Sequence, residues 1–167
     1  NMSNSNERIA AVLKSAIKAE EEGFKFYQAL ALKADNDTAK RKLEGLRDDE
    51  VRHNESLRKE FKKHIGEPVG DLPEKGMTVL SELFARGEFE SGRTEMEYIN
   101  LAIETELAAA RYYQKERNLV DDPAFVALFD KLAEEEHAHY ELLQAEKDAI
   151  GGNYHWFGFD DSSPMEH

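Results

Sequence analysis

The chain has 167 residues, of which 35 are acidic and 22 are basic, and it contains no cysteine. Without cysteine it forms no disulfide, iron–sulfur cluster or thiolate metal site, so any bound metal must have oxygen and nitrogen ligands. The net charge of −13 argues against a nucleic-acid partner, and no apolar run is long enough for a membrane span, so we expect a cytoplasmic protein.

Four long segments show the apolar periodicity of α-helices, and none shows the alternation of a β-strand. Residues 94–97 form a capping box, and Asp122 before Pro123 is a typical helix start. The predicted helices, in chain order, span about residues 4–34, 38–65, 94–119 and 123–150. The sequence therefore predicts an all-α fold.

The connections between these helices predict their arrangement. Two connections are only a few residues long, which forces two antiparallel hairpins. The middle connection, residues 66–93, can cross the length of a bundle and can include a short helix near 78–85. We therefore predict that residues 1–150 form a ferritin-like antiparallel four-helix bundle with one long crossover.

Residues 151–167 form an aromatic tail, which either docks on the bundle or on a neighbouring subunit, or is disordered. Its aromatic residues are Tyr154, Trp156, Phe157 and Phe159.

The two predicted hairpins repeat one another at an offset of 86 residues. Over residues 16–60, 12 positions carry the same residue as the position 86 further along the chain, without gaps. A shared composition of Glu, Ala and Leu does not explain a histidine three residues after a glutamate in both copies. We interpret the pattern as an internal duplication, which predicts approximate two-fold symmetry with each repeated residue opposite its copy.

The repeated polar residues lie on apolar helix faces. Each Glu-x-x-His motif places a carboxylate and an imidazole one turn apart, and flanking leucines put both on the stripe that faces the core. Burying four carboxylates is costly unless they are neutralised, and two divalent cations would balance their charge. The sequence therefore predicts a two-metal centre whose ligands are Glu20, Glu50, His53, Glu106, Glu136 and His139.

Several alternatives stay open for individual residues. A lone Glu-x-x-His motif is usually solvent-exposed, but two copies on apolar stripes favour a site. The ligand set suits iron or manganese, and zinc also accepts it. Tyr27 and Tyr113 either hydrogen-bond ligand carboxylates on neighbouring helices or are ordinary core aromatics. The other histidines are expected at the surface: His64, His137, His155 and His167.

The segments Glu20–Tyr27, Asp49–His53 and Glu135–His139 resemble the rubrerythrin branch of the ferritin-like superfamily, and the resemblance spans about residues 6–150. It implies that the six predicted ligands bind two iron ions. It also implies a centre that reacts in its diferrous form with hydrogen peroxide or dioxygen, and a homodimer.

Two features depart from rubrerythrins. The family carries a further carboxylate three residues after the third-helix glutamate, where this chain has Ala109, with Gly23 as the repeat mate. We therefore expect a more symmetric site, as in bacterioferritins and ferroxidases, and close helix packing at Gly23. Because cysteine is absent, we also expect no rubredoxin module, so electrons would come from a separate rubredoxin-like protein or reductase.

The predicted metal centre and the resemblance to rubrerythrins suggest three functions. The first is a non-haem di-iron oxidoreductase, a rubrerythrin-like peroxidase, in which the six ligands are also the catalytic residues and two ferrous ions each supply one electron. The second is a ferroxidase or iron-handling protein whose acidic surface attracts Fe(II). The third is a non-enzymatic bundle in which the buried residues hold a structural metal or set helix register.

Overall fold

A computed structural model describes residues 4–87 and 92–158 of the chain. Within these residues there are five helices: α1 (Asn4–Lys33), α2 (Asp37–Ile65), α3 (Val79–Arg86), α4 (Glu95–Arg117) and α5 (Pro123–Ala149). The prediction of an all-α fold with four long helices and a short helix in the crossover is confirmed. Among the described helices, none is both long and apolar enough to cross a membrane.

Side-chain caps and one glycine determine where the long helices begin and end. The side chain of Asn36 accepts hydrogen bonds from two backbone N–H groups at the start of α2, and Asp122 accepts one at the start of α5. Thr94 and Glu97 form the predicted capping box of α4. Gly66 ends α2 with φ of 90°, a left-handed conformation that favours glycine. The caps at Asn36 and Asp122 lie in the two hairpin connections, and those at Gly66 and Thr94 flank the crossover.

Contacts between the two hairpins show that neighbouring helices run antiparallel. Arg8, near the start of α1, pairs with Glu116, near the end of α4. Lys42, near the start of α2, pairs with Glu146, near the end of α5, at 2.7 Å between Nζ and Oε2. The end of α2 and the start of α4 therefore lie at opposite ends of the bundle, and α3, which lies between them in the chain, packs on α1 and α4.

The apolar core consists of two clusters separated by a polar layer. One cluster includes Phe26, Leu43, Tyr98, Leu143 and Trp156. The other includes Leu13, Ile17, Leu57, Phe61 and Phe129. Because close-packed side chains hold all four long helices on both sides of the polar layer, the residues in that layer are rigidly positioned.

The described part of the tail docks on the bundle. Trp156 and Phe157 are 1 % and 4 % exposed, and their backbone N–H groups donate to Glu95 Oε2 at 2.6 and 3.0 Å. His155 Nδ1 lies 3.0 Å from Glu95 Oε1. Of the two alternatives for the tail, docking therefore holds up to residue 158, while Phe159 lies outside the described residues.

Two of the histidines differ from their predicted positions. His64 and His155 were expected at the surface, but each is only partly exposed. The ring of His64 packs on that of Phe125, with 4.3 Å between centroids, because α5 begins where α2 ends. His137 is exposed as predicted, and His167 lies outside the described residues.

We expect Glu95→Ala to release the tail and to lower the free energy of unfolding by about 2 kcal/mol, because two buried N–H groups lose their acceptor. The chain has one tryptophan, so the release of Trp156 can be followed by its fluorescence, together with denaturant unfolding. Glu104→Ala is the matched control, since Glu104 is exposed on the same helix. Unchanged fluorescence and stability in Glu95→Ala would contradict this prediction.

Candidate metal centre

The six predicted ligands lie together in the polar layer between the two apolar clusters, and each is at most 5 % exposed. Their ligand atoms form two groups, and within each group all the atoms lie within 4.8 Å of one another. The first group is Glu20, Glu50, His53 and Glu136. The second is Glu50, Glu106, Glu136 and His139. Because two glutamates belong to both groups, the arrangement matches two adjacent cation positions that share two carboxylates.

Each histidine is oriented by a carboxylate from the opposite hairpin. His53 Nε2 lies 3.0 Å from Glu135 Oε1, and His139 Nε2 lies 2.7 Å from Asp49 Oδ2. The Nδ1 atoms turn inward, and His53 Nδ1 lies 2.8 Å from Glu136 Oε1. A neutral imidazole that donates from Nε2 keeps a lone pair on Nδ1, which is the form that binds a metal.

Asp49 and Glu135 are not among the residues predicted from the sequence to act at the site. They are 86 residues apart, and each directly precedes the glutamate of a Glu-x-x-His motif. The repeat places an acidic residue at this position in both copies. A count of identical residues misses the match because one copy has Asp and the other has Glu. Burial raises the pKa of Asp49, but hydrogen bonds from His139 and Arg52 outweigh it and hold that pKa below its usual value. An ionised Asp49 is the form that orients His139.

The two tyrosines make reciprocal hydrogen bonds across the bundle. Tyr27 of α1 donates from its hydroxyl to Glu106 Oε1 at 2.6 Å, and Tyr113 of α4 donates to Glu20 Oε1 at 2.9 Å. Burial, reinforced by the nearby carboxylates, raises both tyrosine pKa values well above 10.0, so the hydroxyls stay protonated. Of the two alternatives in the sequence analysis, the hydrogen-bonding one is therefore observed.

Protonation balances the buried charge when no metal is bound. Burial and then the charges of neighbouring carboxylates raise the pKa values of Glu50 and Glu136 well above 4.5. Burial alone would lower the pKa of His53, but hydrogen bonds and charges from Glu20 and Glu135 raise it to about 9. The site therefore attracts positive charge, whether protons or cations.

Unpartnered atoms at the centre test whether a metal pair fits these residues. Among the described residues, the buried atoms without a well-formed hydrogen bond include Glu20 Oε2, Glu106 Oε2 and Glu136 Oε1, and the Nδ1 atoms of His53 and His139 make only poorly aligned contacts with these carboxylates. Leaving a buried polar atom unpaired costs about 1–3 kcal/mol. Two cations bound among these oxygen and nitrogen atoms would satisfy all of them, and the donor set suits iron, manganese or zinc. The residues therefore fit a two-metal centre.

Gly23 leaves space for one of the shared carboxylates. A Cβ atom at this position would lie 2.8 Å from Glu50 Oε2 and 3.0 Å from Glu50 Cδ. The close packing predicted at Gly23 thus involves the carboxylate of Glu50, not the backbone of a neighbouring helix.

We expect Gly23→Ala to weaken metal binding about tenfold, because the Glu50 carboxylate must move away from the new methyl group. The stability of the metal-free protein should change by less than about 1 kcal/mol, because the better helix propensity of alanine offsets that movement. Competition titration with a metal chelator and denaturant unfolding measure the two effects separately. Gly45→Ala is the control, since nothing lies within 4 Å of a Cβ atom there. Wild-type metal affinity in Gly23→Ala would contradict the prediction.

An open groove of about 450 Å³ leads from the surface between α1 and α2 to the centre. Glu20 and Glu50 lie along it, together with Glu21, Glu55 and the partly exposed ring of Phe24. The groove therefore connects solvent to one side of the candidate centre, and most of its charged residues are acidic.

Comparison with known proteins identifies the family of this chain. A profile of the rubrerythrin family matches residues 11–147. The chain belongs to the rubrerythrin family. No curated protein matches it in the corresponding search.

Three solved structures share the fold of this rubrerythrin-family chain. A hypothetical protein from Pyrococcus furiosus is 26 % identical with a TM-score of 0.65, and the match covers 84 % of this chain and 88 % of that one. A bacterioferritin-related protein from Bacteroides fragilis, described as a dodecameric thioferritin, is 19 % identical with a TM-score of 0.70, covering 87 % of each chain. CopM in its Cu(I)-bound form is 14 % identical with a TM-score of 0.66, covering 86 % and 98 %. The predicted ferritin-like rubrerythrin fold is therefore confirmed.

Proposed function

We propose that this rubrerythrin-family chain is a non-haem di-iron oxidoreductase that reduces hydrogen peroxide. The observation that carries the proposal is the pair of overlapping ligand groups, four buried residues each, that share Glu50 and Glu136. Ferrous ions bound there would act as Lewis acids and supply one electron each to the oxidant. Reduction of one peroxide to two water molecules consumes two electrons and two protons, which matches a site for two such ions.

The six ligand residues would have different roles in holding the two cation positions. Glu50 and Glu136 would bridge them, because each belongs to both ligand groups. Glu20 and Glu106 would each complete one position, and the tyrosine hydroxyls fix the direction in which these carboxylates point. The close-packed clusters shield the layer from bulk water along the bundle axis, so solvent reaches the centre from the side, through the groove between α1 and α2.

Electrons for further turnovers would come from a redox site outside these 167 residues. The 167 residues contain no cysteine and hence no rubredoxin-type iron site. We propose a rubredoxin-like protein or a reductase as the donor.

Metal analysis and a single-turnover reaction test this function. Purified protein should contain two metal ions per chain. The diferrous protein, mixed without oxygen with one equivalent of hydrogen peroxide, should develop the near-ultraviolet absorption of ferric iron within seconds. An iron-loaded sample that does not develop this near-ultraviolet absorption would disprove the peroxidase proposal. Metal content retained in Glu50→Ala, with the fold intact, would instead favour a structural metal elsewhere.

A ferroxidase or iron-handling role is the second candidate, and the acidic groove favours it. In that role Fe(II) is a substrate that passes Glu21 and Glu55 on its way to Glu20 and Glu50. For this role we propose an assembly larger than a homodimer, which the similarity in fold to a dodecameric thioferritin supports. Oxidation of many Fe(II) ions per chain in a large hollow assembly would support this role. Two ions per chain in a dimer would support the peroxidase.

A further inference from the structure

A small, largely enclosed cavity adjoins the candidate metal centre beneath the crossover. Its volume is about 10 Å³, enough for roughly one water molecule. The four glutamates of the centre line one part of it, and neither histidine of the centre does. The rest is lined by residues that include Gly23, Met77, Thr78, Thr105 and Ala109. One of these residues, Ala109, stands at the sequence position where rubrerythrins carry their additional carboxylate.

Two threonines that line the cavity have hydroxyl groups without a partner among the described residues. Thr78 and Thr105 are 9 % and 6 % exposed, and neither Oγ1 atom has a hydrogen-bond partner in the part of the chain that the structure describes. Buried hydroxyls are normally paired, since leaving one unpaired costs free energy. Two residues with unpaired hydroxyls in the wall of one cavity indicate a ligand that is held between them.

Both threonines also lack the local hydrogen bond that is usual at their positions. A threonine inside a helix normally bonds to the carbonyl oxygen one turn earlier, which Thr105 does not do. A threonine at a helix N-cap normally accepts from a backbone N–H, as Thr94 does in α4, but Thr78 at the start of α3 does not. Neither hydroxyl is therefore used to stabilise its own helix.

We propose that Thr78 and Thr105 are positioning residues that hydrogen-bond hydrogen peroxide, or the water that replaces it, in this cavity. The inference rests on the proposed function and deepens it by assigning the oxidant a place. A hydroxyl both donates and accepts, which suits peroxide and water, whereas dioxygen has no hydrogen to donate. One peroxide oxygen would lie in the cavity and the other among the carboxylates.

The chemistry of the wall favours an uncharged ligand. Two divalent cations would balance the four glutamates at the cavity, so the loaded centre has no excess positive charge that would favour an anion. The short side chains at Gly23 and Ala109 keep the space open where a larger residue would fill it. These features distinguish the cavity from a position for a further carboxylate ligand.

Valine substitutions test the proposal because valine has the shape of threonine without the hydroxyl. In stopped-flow reactions of the diferrous protein, Thr105→Val and Thr78→Val should each raise the half-saturating peroxide concentration about fivefold to tenfold. Thr105→Ser should restore the wild-type value. Thr38→Val is the matched control at an exposed position of α2 and should have no effect. All variants should keep the same metal content, which is measured in the same samples.

A second readout does not depend on iron chemistry. A high-resolution crystal structure of the zinc-loaded protein should show an ordered water within hydrogen-bond distance of both hydroxyls, and Thr105→Val should lose it. An empty cavity, or hydroxyls bonded to backbone carbonyls, would overturn the inference.

The two proposals can fail separately. Wild-type protein with two irons that does not react with peroxide would overturn the proposed function and this inference together. A normal reaction with unchanged half-saturation in both valine variants would overturn this inference alone.

Discussion

Glu136→Gln is expected to abolish the binding of both metal ions, whereas Glu20→Gln and Glu106→Gln should each weaken one position. The reason is that Glu136 belongs to both ligand groups, while Glu20 and Glu106 each belong to only one. Glutamine keeps the volume of the side chain but cannot bridge two cations as an anion. Removing one partner of a buried charge pair typically costs about 3–5 kcal/mol, so affinity should fall at least about a hundredfold.

Metal content per chain and chelator competition measure this prediction. Glu141→Gln is the matched control, because Glu141 is exposed on the same helix and should leave two ions bound. The metal-free form of Glu136→Gln should be at least as stable as the wild type, since a crowded buried carboxyl has been replaced by a neutral amide. Equal metal loss in the Glu136 and Glu20 variants would show that the two positions do not share their ligands as we infer.

The metal-free protein is expected to lose stability as the pH rises from about 6.5 to about 9, and the metal-loaded protein is not. The pKa of His53 is raised from 6.5 to about 9 in the folded state, so its contribution is complete below 6.5 and is lost as the pH passes 9. The raised pKa values of Glu50 and Glu136 act in the same direction. Because the folded state binds more protons than the unfolded state, stability falls with rising pH, by about 3 kcal/mol from His53 alone.

Bound cations would remove this dependence, because they replace the protons that otherwise neutralise the site. Thermal unfolding over this pH range, with and without two equivalents of a divalent metal, measures the effect. His53→Gln should flatten the metal-free profile, while His137→Gln at an exposed position should leave it unchanged. A metal-free wild type whose stability is constant or rises between pH 6.5 and 9 would contradict the assigned protonation.

Reciprocal contacts support the symmetry that the repeat predicted. Each tyrosine reaches the glutamate of the other hairpin, and each histidine reaches an acidic residue of the other Glu-x-x-His helix. The symmetry is broken beside the centre, where both repeat mates line the cavity but Gly23 leaves room for the carboxylate of Glu50, whereas Ala109 carries a methyl group. The two halves therefore provide similar ligands but different surroundings.

Periodicity and the repeat were sufficient to predict the helices, the two hairpins and the six residues that meet in the polar layer. These signals are local: the spacing of apolar residues shows which face of a helix is buried, and a glutamate on that face must be buried too. The repeat then paired Glu50 with Glu136 and His53 with His139. No knowledge of neighbouring helices was needed for this step.

The partners of these residues were decided only by the tertiary structure. Whether Tyr27 bonds Glu106, or Asp49 bonds His139, depends on the rotation and axial position of one helix against another. The same holds for Thr105, because its position in the sequence gives no sign that it lines a cavity. Helix periodicity indicates the direction in which a side chain points, but not which residue lies opposite it. The opposing residue is determined by the packing of the whole core.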